Sequence, residues 1–249
     1  MKTLVIHPDD PTTVFLKEIY KNKNVTLIND PATPIGKIVD EINKHERIIM
    51  CGHGCPDGLF GANPSGFMIS ADMLKLFKGK ELIGIWCNAD KFFNSYNLTG
   101  FFTGMFISEV GEARCYGINA SQEEVTASNY AFSEIVGKCD TAEEMFWAVR
   151  NQYLERCDNS VSQFNSERMY FAVIENDLRV LYAPIMNIED KMFEKDITEY
   201  LTDSYEDSNT CAYDDGWDMT YMGRDAFYDD EDVDDDIAGD FDPEWPEEK

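Results

Sequence analysis

The sequence predicts an α/β fold, a mostly parallel sheet with helices on both faces, closed by a C-terminal hairpin and an acidic tail. Three observations carry this. Short apolar runs alternate with amphipathic segments through the first 120 or so residues, the pattern of strand–helix–strand units. Helix signals sit between the runs, such as Thr33-Pro34 ahead of the stripe Ile35, Ile38, Val39, Ile42, with proline placed where its missing N–H costs nothing. Chemistry-bearing residues gather where the runs end, at the carboxyl ends of strands, the usual place for sites in such sheets.

Lys2–Ile6 reads as the first strand and Val25–Ile28 as the second. Between them Val14, Phe15, Leu16, Ile19 and Tyr20 follow a mostly helical spacing. Arg47–Cys51 is the third strand. A segment with Gly52, Gly54, Pro56, Gly58, Gly61, Pro64 and Gly66 then reads as a loop or small hairpin. A short helix from about Ala71 turns Leu74 and Phe77 inward and stops at Gly79. Leu82–Cys87 is the fourth strand and Phe101–Ser108 the fifth. Ser121 and Glu124 form a capping box for a helix that puts Val125, Phe132 and Ile135 on one face. Ala142–Arg156 is a second long helix, with Met145, Phe146, Val149 and Tyr153 inward. Met169–Ile174 and Leu178–Ala183 form the hairpin, turning at Glu175-Asn176-Asp177.

The net charge of −27 is unevenly spread: residues 201–249 carry 19 acidic and 2 basic side chains. Residues 1–200 therefore read as the folded domain and 201–249 as an acidic tail. Nucleic acid is not an expected partner, because phosphate binding needs basic patches. No run approaches the ~20 apolar residues of a membrane span, so no membrane partner is expected. Seven cysteines, an odd number without a framework spacing, fit reduced thiols and a cytoplasmic location. The tail interleaves its acids with Tyr213, Trp217, Tyr221, Phe227, Tyr228, Phe241 and Trp245. It reads as a solubilising segment, as a segment docking on a protein partner or back on its own domain, or as a weak Ca²⁺ site at Asp229–Asp236.

Four strand ends carry chemistry: His7-Pro8-Asp9-Asp10, Cys51-Gly52-His53-Gly54-Cys55, Trp86-Cys87-Asn88-Ala89-Asp90 and Ser108-Glu109. If the third and fourth strands are neighbours, His53 and Cys87 project into one crevice. An imidazole beside a thiol favours the thiolate. The N–H groups of Gly54 and Cys87 could then hold an oxyanion. Cys51, His53, Cys55 and Cys87 also read, less well, as a zinc set or as thiols able to form a regulatory disulfide, since Cys-x-His-x-Cys lacks a zinc knuckle. No metal or cofactor is expected. His7 reads as a strand-end residue, and His45 as a solvated helix cap.

Ile48-Ile49-Met50-Cys51-Gly52-His53-Gly54 resembles the apolar strand and His-Gly of the caspase-like cysteine peptidases, the superfamily of caspases, metacaspases, legumains, gingipains and clostripain. Gly58-Leu59-Phe60-Gly61 and Phe67-Met68-Ile69 resemble the hairpin that follows, and Leu82-Ile83-Gly84-Ile85-Trp86-Cys87 the strand that presents the nucleophile. The resemblance spans roughly residues 1–120. It implies a peptidase acting on a peptide or protein, with Cys87 as nucleophile, His53 as base and the Gly54 N–H in the oxyanion hole. It departs from the family at Ile85, Trp86 and Asn88-Ala89-Asp90, where relatives often carry an acid, a small residue and a following glycine. The same fold could equally serve as a catalytically silent binding module. Asp9, Asp10 and Glu109, with Glu112 behind, are expected to give a substrate pocket acidic walls that favour Lys or Arg at the cleaved bond.

Overall fold

The computed structural model describes residues 1–61 and 66–183, with one further short strand at Met192–Phe193. The tail and its proposed domain boundary lie outside the described residues.

Among the described residues the sheet has eight strands: β1 (Thr3–Ile6), β2 (Val25–Ile28), β3 (Arg47–Cys51), β7 (Glu81–Ile85), β8 (Gly100–Thr103), β9 (Met169–Glu175), β10 (Leu178–Tyr182) and β11 (Met192–Phe193). Their order is β11-β10-β9-β8-β7-β3-β1-β2. The five strands from β8 to β2 are mutually parallel, and β9, β10 and β11 continue the sheet antiparallel. A separate three-stranded sheet, β4 (Gly54–Cys55), β5 (Gly58–Phe60) and β6 (Phe67–Ser70), fills the glycine-rich segment.

Strand parity divides the core in two, because successive side chains point to opposite faces. Val5, Ile49, Cys51, Ile83, Ile85, Phe101 and Phe171 face one side. There they pack against the 3-10 segment Pro11–Ile19 and the helices α4 (Gln122–Gly137) and α5 (Ala142–Arg156). Leu4, Ile6, Ile48, Met50, Leu82, Trp86 and Phe102 face the other side. They meet α1 (Ile35–Lys44), the 3-10 segment Ala71–Phe77 and α2 (Ala89–Ser95). Both faces are thus covered over the inner strands β1, β3, β7 and β8, which is why their middles are apolar rather than alternating.

The capping box is made: Ser121 Oγ accepts from the Glu124 amide at 3.2 Å, and Glu124 accepts from the Ser121 amide at 2.8 Å. Val125, Phe132 and Ile135 are buried on the inner face of α4. Ser128, between them, is buried too and bonds Tyr153 Oη at 2.6 Å. The hairpin turns on two residues, Asn176 and Asp177, both left-handed, the geometry that matches strand twist.

Three expectations are corrected. The fifth strand stops at Thr103, and Gly104–Ser108 leaves the sheet as a loop because its carbonyls and amides bond elsewhere: Gly104 to Asn88 and Arg168, and Ile107 to Asn165. The fourth strand, expected over Leu82–Cys87, runs over Glu81–Ile85; α2 follows Asn88, and the short helix α3 (Val110–Cys115) follows Glu109. His45 is buried rather than solvated, its ring held between the Glu41 carbonyl at 2.6 Å and Thr26 Oγ1 at 2.8 Å.

Candidate active site

Cys51 pairs with Ile85 across the parallel β3–β7 ladder. The Gly52 amide still donates to the Ile85 carbonyl at 3.1 Å, and His53 and Cys87 follow just beyond the two strand ends. The two strands end just before, so both side chains stand at the rim rather than in the core. They line one cleft with Thr13, Phe15, Leu16, Gly52, Ile85, Trp86, Phe106 and Ser108. Its cavity volume is about 20 Å³, room for about one water.

Two backbone features shape this rim. Gly52 has φ of 141°, a conformation a side chain would strain, and it turns the chain off β3. Asn88, with φ of 65°, is left-handed and takes the chain from Cys87 into α2. The Asn88 amide donates to the Gly104 carbonyl at 3.2 Å, tying this turn to the loop below it.

The histidine is held from the first strand end. Its Nε2 lies 2.6 Å from Thr12 Oγ1. Thr12 is held in turn by Asp10, whose Oδ1 accepts the Thr12 amide at 2.8 Å and the Thr12 hydroxyl at 2.5 Å. Asp10 also caps the 3-10 segment. Next to it, buried His7 bonds Tyr20 Oη at 2.8 Å and Thr13 Oγ1 at 3.1 Å. Burial, helped by the Lys17 charge, lowers the His7 pKa to about 4, so its ring is neutral at physiological pH.

The cysteine is held from the loop after β8. Cys87 Sγ donates to the Phe106 carbonyl at 3.4 Å and reaches Glu112 Oε1 at 3.9 Å. Burial first, and the Glu112 charge second, hold its thiol well above the ordinary range. The resting sulfur is therefore protonated, not the thiolate that an adjacent imidazole was expected to favour. Glu112 itself is pushed up by burial, against the Ser108 amide and the His53 charge, which pull it down.

The loop that presents Phe106 and Ser108 is anchored by side chains. The Phe106 ring stacks on Phe15 at 6.2 Å and tilts on Phe132 at 4.9 Å. Asn165 brackets Ile107, accepting from its amide at 2.8 Å and donating to its carbonyl at 3.0 Å. Asn129 donates to the Ser108 carbonyl at 2.8 Å.

The other expected residues take their places around this pair. Gly54 lies in β4 with no room for a side chain: a Cβ would collide with the Trp86 indole and sit 2.6 Å from the Gly58 carbonyl oxygen. Trp86 is buried on the opposite face from Cys87, against Phe92 and Phe93, and its Nε1–H donates to the Cys55 carbonyl at 3.0 Å. Asp9 forms an exposed ion pair with Lys17 at 2.9 Å. Asp10 stands behind Thr12. Glu109 is the N-cap of α3 in a reciprocal capping box with Glu112. Of the acidic set, Glu112 is the one whose carboxylate meets the thiol. Thr12, Phe106 and Asn165 were missed in sequence because each acts from tens of residues away, with no local pattern. Among the described residues, no group of three or more His, Cys, Asp or Glu could hold a metal ion, six cysteines are free, and no helix is long and apolar enough to cross a membrane.

Compared with known proteins, the chain matches no protein-family model, and no curated protein matches its sequence.

Proposed function

We propose that this chain is a cysteine hydrolase, a peptidase of caspase-like fold acting on peptide or protein substrates. The observation that carries the reading is the shared cleft: β3 and β7 are adjacent, and His53 and Cys87, just past their ends, line it together. In this reading Cys87 Sγ attacks the scissile carbonyl carbon. Its proton passes to His53 and then to the departing amine, and water releases the acyl group from sulfur by the reverse transfer. The amides of Gly54 and Cys87 stabilise the oxyanion. No cofactor enters these steps. Because the thiol rests protonated, the proton leaves it as the carbonyl is attacked rather than beforehand. Glu112 supplies the acidic wall that favours Lys or Arg beside the cleaved bond, with Asp9, Asp10 and Glu109 further out. Free cysteines fit a reducing, cytoplasmic setting.

A second reading, a catalytically silent scaffold that binds a partner, is favoured by one observation. The thiol is buried and faces the Glu112 carboxylate, and both oppose its ionisation. Labelling with an active-site thiol probe separates the two. The hydrolase reading expects strong labelling of the wild type, little of His53→Ala and none at the active position of Cys87→Ala. Equal labelling of all three ends it.

A further inference from the structure

We infer that His53 stands in the cleft as the Nε2–H tautomer, fixed there by the chain Asp10–Thr12–His53, with Asp10 and Thr12 as positioning residues. The argument is a count of protons. A threonine hydroxyl has one hydrogen to give and lone pairs to receive, and a carboxylate can only receive. Thr12 Oγ1 lies 2.5 Å from Asp10 Oδ1, so its hydrogen goes there. The same oxygen lies 2.6 Å from His53 Nε2. A contact that short between two polar atoms needs a hydrogen, and Thr12 has none left, so Nε2 carries it. The neutral ring then keeps its bare lone pair on Nδ1.

The chain is rigid at its far end. Asp10 Oδ1 also accepts the Thr12 amide at 2.8 Å, and the Asp10 carbonyl accepts from the Thr13 amide at 3.3 Å. Pro11 follows at the first position of the 3-10 segment. His7, neutral and clamped between Tyr20 and Thr13, pins the same strand end from inside. Asp10 lies 3.9 Å from Nε2, so its negative charge faces the N–H edge of the ring.

The tautomer assignment stands on these contacts alone; its catalytic meaning rests on the hydrolase reading. There, Nδ1 is the nitrogen that takes the Cys87 proton, and the opposite tautomer would present a hydrogen where a base is needed.

The test is long-range ¹H–¹⁵N correlation of the histidine rings in the full ¹⁵N-labelled chain at pH 8, with His53 assigned by its loss in His53→Gln. The expected wild-type pattern is a protonated Nε2 and an unprotonated Nδ1. Thr12→Val, at an exposed position, should collapse this toward tautomer exchange, and Thr12→Ser should restore it. A wild-type Nδ1–H pattern, or a Thr12→Val spectrum like wild type, overturns the proposal. Iodoacetamide labelling of Cys87 in the same proteins separates it from the hydrolase reading. If labelling depends on His53, Thr12→Val should slow it by about tenfold or more and Thr12→Ser should recover it, because the base nitrogen is lost and regained. If labelling ignores His53 while the tautomer pattern holds, the hydrolase reading fails and the hydrogen-bond chain stands.

Discussion

Glu112 Oε1 lies 3.9 Å from Cys87 Sγ, while its other oxygen, Oε2, receives the Ser108 amide at 2.7 Å, the Ser108 hydroxyl at 3.0 Å and the Glu109 amide at 3.1 Å. One carboxylate therefore does two separable jobs. Oε2 builds the start of α3, and Oε1 sets the electrostatics of the thiol.

Glu112→Gln should separate them. The amide oxygen can keep the three bonds of Oε2, and the amide N–H₂ would face sulfur as a donor in place of a charge. The thiol pKa should fall, and alkylation by neutral iodoacetamide at pH 8 should speed up by about tenfold, the change one pKa unit gives below the pKa. Rates measured against pH check this; an unchanged or slower reaction contradicts it.

Asp90 and His7 should pull acid stability in opposite directions. Burial raises the Asp90 pKa to about 6, and one of its oxygens, Oδ1, has no hydrogen-bond partner. A carboxyl raised in the folded state holds a proton the unfolded chain has lost. Its stabilisation is full below the unfolded pKa of about 4 and is lost as pH rises through 6. The lowered pKa of His7 acts the other way: its stability is full above about 6.5 and is lost as pH falls toward 4. The wild type should therefore change little between pH 4 and 6. Asp90→Asn should be more stable at pH 7.5, by about 3 kcal/mol from a shift of roughly two units, and should lose stability steeply on acidification. Urea denaturation at pH 4.5, 6 and 7.5 reads both effects, and a flat profile for the variant contradicts the assignment.

Gly54→Ala should be costly for stability whatever the activity. The added methyl meets the Trp86 indole and the Gly58 carbonyl oxygen at once, and the latter is backbone that cannot swing away. Overpacking of this kind costs about 3 kcal/mol or more. A melting temperature lowered by roughly 6–12 °C is expected for a chain of this size, and a wild-type value would show that the indole repacks freely.

Asn165→Ala should loosen the loop beneath the thiol. It strips partners from the buried Ile107 amide and carbonyl together, at a cost of about 2–4 kcal/mol. Cys87 should then label faster, because the loop that buries its sulfur is looser. Faster hydrogen exchange at residues 105–108 would confirm the cause; unaltered exchange with faster labelling would place it elsewhere.

The sheet was legible in sequence because its strands are short and apolar on both faces. Val25–Ile28 and Arg47–Cys51 match strand bounds, and Ala142–Arg156 is the full α5. Capping chemistry gave the start of α4 for the same reason: it is local. The losses are also physical. Phe101–Ser108 looks like one strand because Phe106 and Ile107 are apolar, but those residues are buried by a loop held from Asn165 and Asn129 rather than by pairing. The segment after Cys87 is a helix only because Asn88 adopts a left-handed turn, which asparagine permits but does not announce. In the cleft, the positions of His53 and Cys87 at neighbouring strand ends could be read, since strand ends are visible. Their partners Thr12 and Phe106 could not, and nor could the choice of Glu112 over Glu109, which one turn of helix decides.

Trp86 and Cys87 point to opposite sides of the sheet, one into an aromatic wall and one into a cleft. This makes the cleft-facing edge depend on the reading frame of a single strand. Deleting or inserting one residue within β7 would reverse its inward and outward sets. The indole would then plug the cleft and the sulfur would vanish among Phe92 and Phe93. Engineered chains can change length in the turn before β7, but not between Glu81 and Asn88, without trading a thiol for a stopper.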